Sequence, residues 1–125
     1  MRLSTIRKGI IGQEKVKADM LRRNLDIYEP VCDDKTIDLL CLIKGEPITI
    51  QVKNHKFMNT KSSIAIRVAP TSADVIAVPY KDEVFYIRNK KKNRQWGLSL
   101  AIKTPKNNQK LKVRFAKDYK EFPYV

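Results

Sequence analysis

The chain is poor in the side chains that most transition-metal and redox chemistry uses. Its 125 residues include one histidine, His55, and two cysteines, Cys32 and Cys41. A zinc site of four cysteines, or of two cysteines and two histidines, cannot be assembled within one copy. Cys32 and Cys41 lack CxxC spacing and sit in or beside apolar runs, which predicts buried thiols in a reducing compartment. Long hydrophobic runs are missing as well. The longest, Ile37 to Ile43, is strand-sized and contains Asp38, far short of the ~20 residues that cross a bilayer. The N-terminus, Met1 to Lys8, is basic but no apolar segment follows it. These absences predict an intracellular chain without membrane anchorage. Acid is the other shortage: 13 Asp and Glu stand against 26 Lys and Arg, for a formal charge of +13. A domain does not need that imbalance to fold, so it points to a polyanionic partner, most simply nucleic acid, with an anionic membrane surface as the alternative.

What is present suffices for a globular fold. Hydrophobic residues make up 42% of the chain, which argues against wholesale disorder, and the length suits a single domain over residues 1–125. The periodicity predicts a helix over Gly9 to Leu25 with Ile11, Glu14, Ala18, Leu21 and Leu25 on its apolar face. Val16 and Met20 fall on the far side, as a small contact surface. Thr36 to Ile43 predicts a strand apolar on both faces. Lys44-Gly45-Glu46 predicts a hairpin turn, and Pro47 to Lys53 alternates cleanly as its second strand. Ile64 to Val68 predicts another strand. Ala73 to Pro79 and Glu83 to Ile87 form a second hairpin around Tyr80-Lys81-Asp82. Leu98 to Lys103 and Leu111 to Tyr119 are ambiguous. The fold class is α+β, with a central mixed sheet flanked by helices.

Two residues break the pattern of their own elements. Glu14 lies on the predicted apolar face of the helix, and Asp38 lies inside an apolar strand. A buried carboxylate without a partner costs several kcal/mol, so Asp38 requires a cation or a metal. Gln51 and Lys53 share one face of the next strand, and the hairpin brings them toward Asp38. Two carboxylates, an amide and an ammonium around one point suit a hard divalent cation such as Mg2+, which takes few protein oxygens and keeps several waters. Such an ion polarises a phosphoryl oxygen and activates water, which is what phosphodiester hydrolysis requires. Each residue also has a plainer reading. Glu14 can pair with Lys17 on a helix surface, Asp38 can cap a turn, and Gln51 with Lys53 can form a solvated strand face.

Glu14, then Ile37-Asp38, then Gln51-Val52-Lys53 resembles the PD-(D/E)XK nuclease superfamily. Gly12-Gln13-Glu14 resembles its first-helix motif. The residues Ala73 to Pro79, Val84 to Ile87, Thr104 to Gln109 and Phe115 to Tyr119 resemble the later segments of its small intron-type homing endonucleases. Gln51 stands where most members carry Glu or Asp, and this QxK variant is similar to the intron-type branch. The resemblance implies a restriction-endonuclease-like fold and Mg2+-dependent DNA endonuclease activity, with Mn2+ able to substitute. It implies metal ligation by Asp38, Gln51, the Val52 carbonyl and, through water, Glu14. Lys53 would then orient the attacking water. A structure-selective Holliday-junction resolvase and a non-catalytic DNA-binding protein are the alternatives. Cutting both strands of double-stranded DNA needs two centres, which implies a homodimer or homotetramer.

The positive charge is clustered. Arg88, Lys90, Lys91, Lys92 and Arg94 fall within seven positions, and Lys103, Lys106, Lys110, Lys112, Arg114, Lys117 and Lys120 follow. Lys56 and Lys61 lie in the irregular stretch after the motif. Arg88 to Arg94, Lys106, Lys110, Lys56 and Lys61 are the expected DNA contacts. His55 reads as a surface or DNA-contact residue and Trp96 as core.

Overall fold

The computed structural model describes residues 2–32, 36–57, 63–102 and 114–124, with backbone alone at 56 and 57. Ser4 starts the first helix, α1 (Thr5–Arg22), by accepting the Arg7 N–H on its hydroxyl oxygen at 3.2 Å. This satisfies one of the first-turn donors that a helix leaves unpaired. Among the described residues eight strands follow: β1 (Asp26–Tyr28), β2 (Leu39–Ile43), β3 (Glu46–Val52), β4 (Lys56–Phe57), β5 (Ser63–Val68), β6 (Val75–Tyr80), β7 (Glu83–Arg88) and β8 (Trp96–Ala101). Of the ambiguous segment Leu111 to Tyr119, the end forms a short 3-10 helix, η1 (Ala116–Tyr119), and residues 111–113 lie outside the described residues.

The strands form two sheets. The larger has the order β1-β2-β3-β6-β7, and the smaller β4-β5-β8. In the larger sheet β3 pairs with β6 in parallel and every other pair is antiparallel, so it is mixed as the sequence predicts. The β2–β3 turn places Lys44 at φ 52° and Gly45 at φ 80°. Two successive residues in this left-handed region match the twist of the flanking strands, which is why a two-residue loop closes the hairpin.

The larger sheet is covered on both faces. On one, α1 contributes Val16 and Met20 to a cluster with Leu39, Cys41, Ile50, Val75 and Ala77. On the other, the smaller sheet contributes Ile64, Ile66, Val68 and Leu100 against Ile76, Val78, Phe85 and Ile87. Strand β6 is buried along its whole length because its alternate residues enter both clusters. The α+β class holds, but among the described residues the second face is packed by the smaller sheet and not by a second α-helix.

Three expectations are corrected. The buried face of α1 is Gly12, Val16 and Met20, a four-residue step, and not the face that carries Glu14. Leu21 and Ile11 are exposed, whereas Val16 and Met20 are core and offer no contact surface. Cys32 is exposed, because it lies in the bend after β1 rather than in a strand; Cys41 is buried in β2 as expected. Burial pushes the Cys41 thiol pKa up, with Asp26 adding to the effect. Trp96 packs at the edge of the second cluster, and its indole N–H donates to Asn89 Oδ1 at 2.9 Å.

Candidate active site

Asp38 sits one residue before β2. Its N–H donates to the Ile50 carbonyl at 2.9 Å, and its Oδ2 accepts the Val52 N–H at 2.8 Å. The carboxylate therefore ties the start of one strand to the end of its partner. Leu39 lies across from Ile50 in the register, and one step further along come Asp38 and Gln51. This juxtaposition is the one the hairpin predicts.

Gln51 is the telling residue. It pairs with Ile76 on the neighbouring strand, whose side chain belongs to the second cluster. Partners across a ladder share a face, so the amide lies on the side of the sheet away from α1. Its Oε1 is buried and has no hydrogen-bond partner among the described residues. Leaving such an oxygen unsatisfied costs about 1–3 kcal/mol. A cation held between this oxygen and the Asp38 carboxylate would remove that cost. Lys53 follows two residues later, just past the end of β3, its backbone N–H held by the Ala77 carbonyl at 2.9 Å.

Among the described residues no three His, Cys, Asp or Glu side chains cluster to hold a metal. Asp38 and Gln51 supply one carboxylate and one amide oxygen. That sparse set fits a Mg2+ ion, which is bound by one or two carboxylates and keeps several waters. It does not fit a tight transition-metal site, which needs imidazole or thiolate.

Glu14 is not brought to this group. Its side chain is 61% exposed and it pairs with Lys17 at 2.6 Å; Lys17 also reaches Glu29 at 2.7 Å. The physical reason is the helix rotation: with Gly12, Val16 and Met20 inward, residue 14 points outward. The Glu14–Lys17 surface pair holds instead, and these two hydrogen bonds raise the Lys17 pKa, Glu14 first.

A second carboxylate does stand on the site's face. Asp74, at the entrance to β6, accepts the Thr49 N–H at 2.9 Å and the Thr49 hydroxyl at 3.0 Å on Oδ2, while Oδ1 pairs with Lys92. Burial pushes its pKa up, but Lys92 and the Thr49 bonds outweigh it and the net shift is downward. These contacts make Asp74 a clamp between strands and loop.

The expected DNA contacts divide. Lys90, Lys91 and Arg94 are exposed in the loop between β7 and β8. Arg88 donates to the Pro123 carbonyl at 2.6 Å and lies 4.3 Å from the Tyr124 ring centre, and Lys92 pairs with Asp74. These two cations hold the protein together as well as charging its surface. Lys56 is described by its backbone alone, and Lys61, Lys106 and Lys110 lie outside the described residues.

Two residues follow Lys53: Asn54, which the sequence reading passed over, and His55, which it read as a surface or DNA-contact residue and which is half-buried. Asn54 lies so close to α1 that a Cβ built on Gly12 would come 2.7 Å from Asn54 Oδ1 and 3.3 Å from Pro79 Cγ. His55 donates from Nδ1 to the Pro79 carbonyl at 3.2 Å, with its ring edge-on to Tyr80 at 5.1 Å. Burial lowers its pKa, and the nearby Lys15 charge lowers it further. The available signal was Gly12, a helix-interior glycine with a packing reason.

The fold, by contrast with the site, can be compared with known structures. No family model and no curated protein matches the sequence. Among solved structures, the chain is similar to that of a bacterial homing endonuclease, I-Ssp6803I. The match has a TM-score of 0.77 and 15% identity, over 96% of this chain and 88% of that one. The chain therefore has the fold of that homing endonuclease.

Proposed function

We propose that the protein is a Mg2+-dependent DNA endonuclease with the action of a homing endonuclease. The observation that carries this reading is the buried Gln51 Oε1, without a hydrogen-bond partner among the described residues, beside the strand-pinned Asp38 carboxylate. The fold likeness and the charge of +13 support it. Asp38 and Gln51 hold the ion, with the Val52 carbonyl as a third oxygen. When bound, Mg2+ polarises the scissile phosphate and lowers the pKa of a coordinated water. Lys53 places positive charge beside the phosphate and orients the attacking water. Glu14 is left out of this set because it is engaged with Lys17. The exposed cations of the β7–β8 loop grip the DNA backbone, and an even-numbered homo-oligomer supplies one centre per strand.

Plasmid nicking in Mg2+ tests the reading, with a four-way junction as a second substrate. Asp38→Ala and Lys53→Ala should each abolish nicking while DNA affinity stays within a few-fold of the parent. Retained Mg2+-dependent cutting by either variant would remove the assignment. A parent protein that binds DNA but never cuts it would make this a DNA-binding protein on a nuclease fold. Preference for the junction would make it a resolvase.

A further inference from the structure

Around the end of β3 from the Asp38 face lies a concavity. Its volume is about 250 Å3, and its polar lining is Lys8, Lys15, Asn54 and His55. It is smaller than the ~300–1,000 Å3 of pockets that take drug-sized organic ligands, so it suits a compact group. Its charge is one-sided. The lining carries two lysines and no carboxylate, and neither lysine makes an ion pair among the described residues.

The helix builds this notch. Lys8, Gly12 and Lys15 are spaced four and three, so they share one flank of α1. Lys8 and Lys15 stand about 10.5 Å apart along the axis, given a rise of about 1.5 Å per residue. Gly12 between them has no side chain, which lets Asn54 approach the helix surface. Asn54 directly follows Lys53, so the notch begins one residue beyond the proposed catalytic lysine. Burial and Lys15 keep His55 in the neutral form to lower pH than usual, and its Nδ1–H is committed to Pro79.

We infer that this notch binds a backbone phosphate of the same DNA strand that passes the Asp38 centre. Lys8 and Lys15 bracket the phosphate, and Asn54 offers its amide N–H groups. The contact carries no sequence information and fixes the position of the strand at Lys53. The inference rests on the nuclease reading for its purpose, but its test does not need cleavage.

His55 is the protein's sole histidine, so its imidazole proton resonances report on the notch without assignment ambiguity. The full-length chain is titrated in metal-free buffer with a short duplex DNA of arbitrary sequence. The His55 resonances should move as DNA saturates. Lys8→Ala/Lys15→Ala should leave them unmoved, weaken binding by roughly tenfold or more in low salt, and make the slope of log K against log salt shallower by about one, for the one phosphate lost. Lys8→Arg/Lys15→Arg should restore all three. Both positions are exposed, so the variants fold, as their circular dichroism should confirm. His55 resonances that ignore saturating DNA, or a double-alanine variant that binds like the parent, would overturn the inference. Nicking of plasmid with a silent His55 would defeat the notch and spare the nuclease. A responsive His55 without nicking would do the reverse.

Discussion

Gln51 offers an amide oxygen where a carboxylate would bind a divalent cation more strongly, and nothing else among the described residues bonds that oxygen. Replacing it separates metal binding from packing. Gln51→Glu keeps the size and adds charge, so half-maximal nicking should need less Mg2+. Gln51→Leu keeps the bulk and removes the oxygen. It should cost roughly 10- to 100-fold in activity, the scale on which loss of a ligand-orienting group acts, while raising stability because an unsatisfied buried acceptor is gone. Nicking assays across a Mg2+ series, with thermal denaturation of the same samples, read both effects. Equal activity of the Glu and Leu variants would place Gln51 outside the metal's reach. At this scale the sequence was informative where a polar residue adjoins an apolar strand, although Asp38 proves to sit one residue before β2 and not inside it. It misled where a carboxylate seemed to interrupt an apolar helix stripe. Helix α1 carries apolar residues on several faces, including Ile6 at 76% exposure, so hydropathy could not choose its rotation. Gly12, which marks the closest approach, has no hydropathy signal at all.

At the scale of elements, hairpins were readable because turn chemistry and strand alternation agree at Lys44-Gly45 and again at Lys81-Asp82. The smaller sheet was not, since β8 is held by pairing that lies far away in sequence. Gly97 shows how tight that pairing is: a Cβ there would meet the Ile66 carbonyl oxygen at 2.9 Å. That oxygen is backbone in a paired strand and has little room to retreat. Gly97→Ala should therefore destabilise the protein by about 1–3 kcal/mol, the usual cost of overpacking, as thermal unfolding would register. A neutral or stabilising result would mean that β5 and β8 separate easily. Asp74 joins three elements, β3 through Thr49, β6 through its own position, and the β7–β8 loop through Lys92. Its folded-state pKa is depressed below the ordinary 3.8. A depressed acid contributes stability that is present above its unfolded pKa and is lost as pH falls through the folded one. The parent should thus lose stability as acid is added below about pH 4, and Asp74→Asn should lose less over the same interval. Parallel acid-denaturation curves for the two proteins would contradict that account.

At the scale of the whole molecule, the positive charge is the feature a sequence reports most directly, yet the structure redistributes it. Arg88 is committed to Pro123 and Tyr124, and Lys92 to Asp74, so two of the five cations in the β7–β8 cluster are tied to other groups of the protein surface. Lys90, Lys91 and Arg94 remain on the exposed loop. A cation that neutralises a DNA phosphate releases condensed counterions and steepens the fall of log K with log salt by about 0.9. If all three touch the backbone, changing Lys90, Lys91 and Arg94 together to Ala should flatten that slope by up to about three, for unrelated sequences as much as for a preferred target. Lys92→Ala alone should behave differently. It frees Asp74 from its partner, so its main effect should be on stability, with little change in slope. Binding titrations between 50 and 200 mM salt on both variants decide the matter. A triple variant with the parent's slope would show that this loop does not face the DNA. The cations of α1 would then be left to carry the strand.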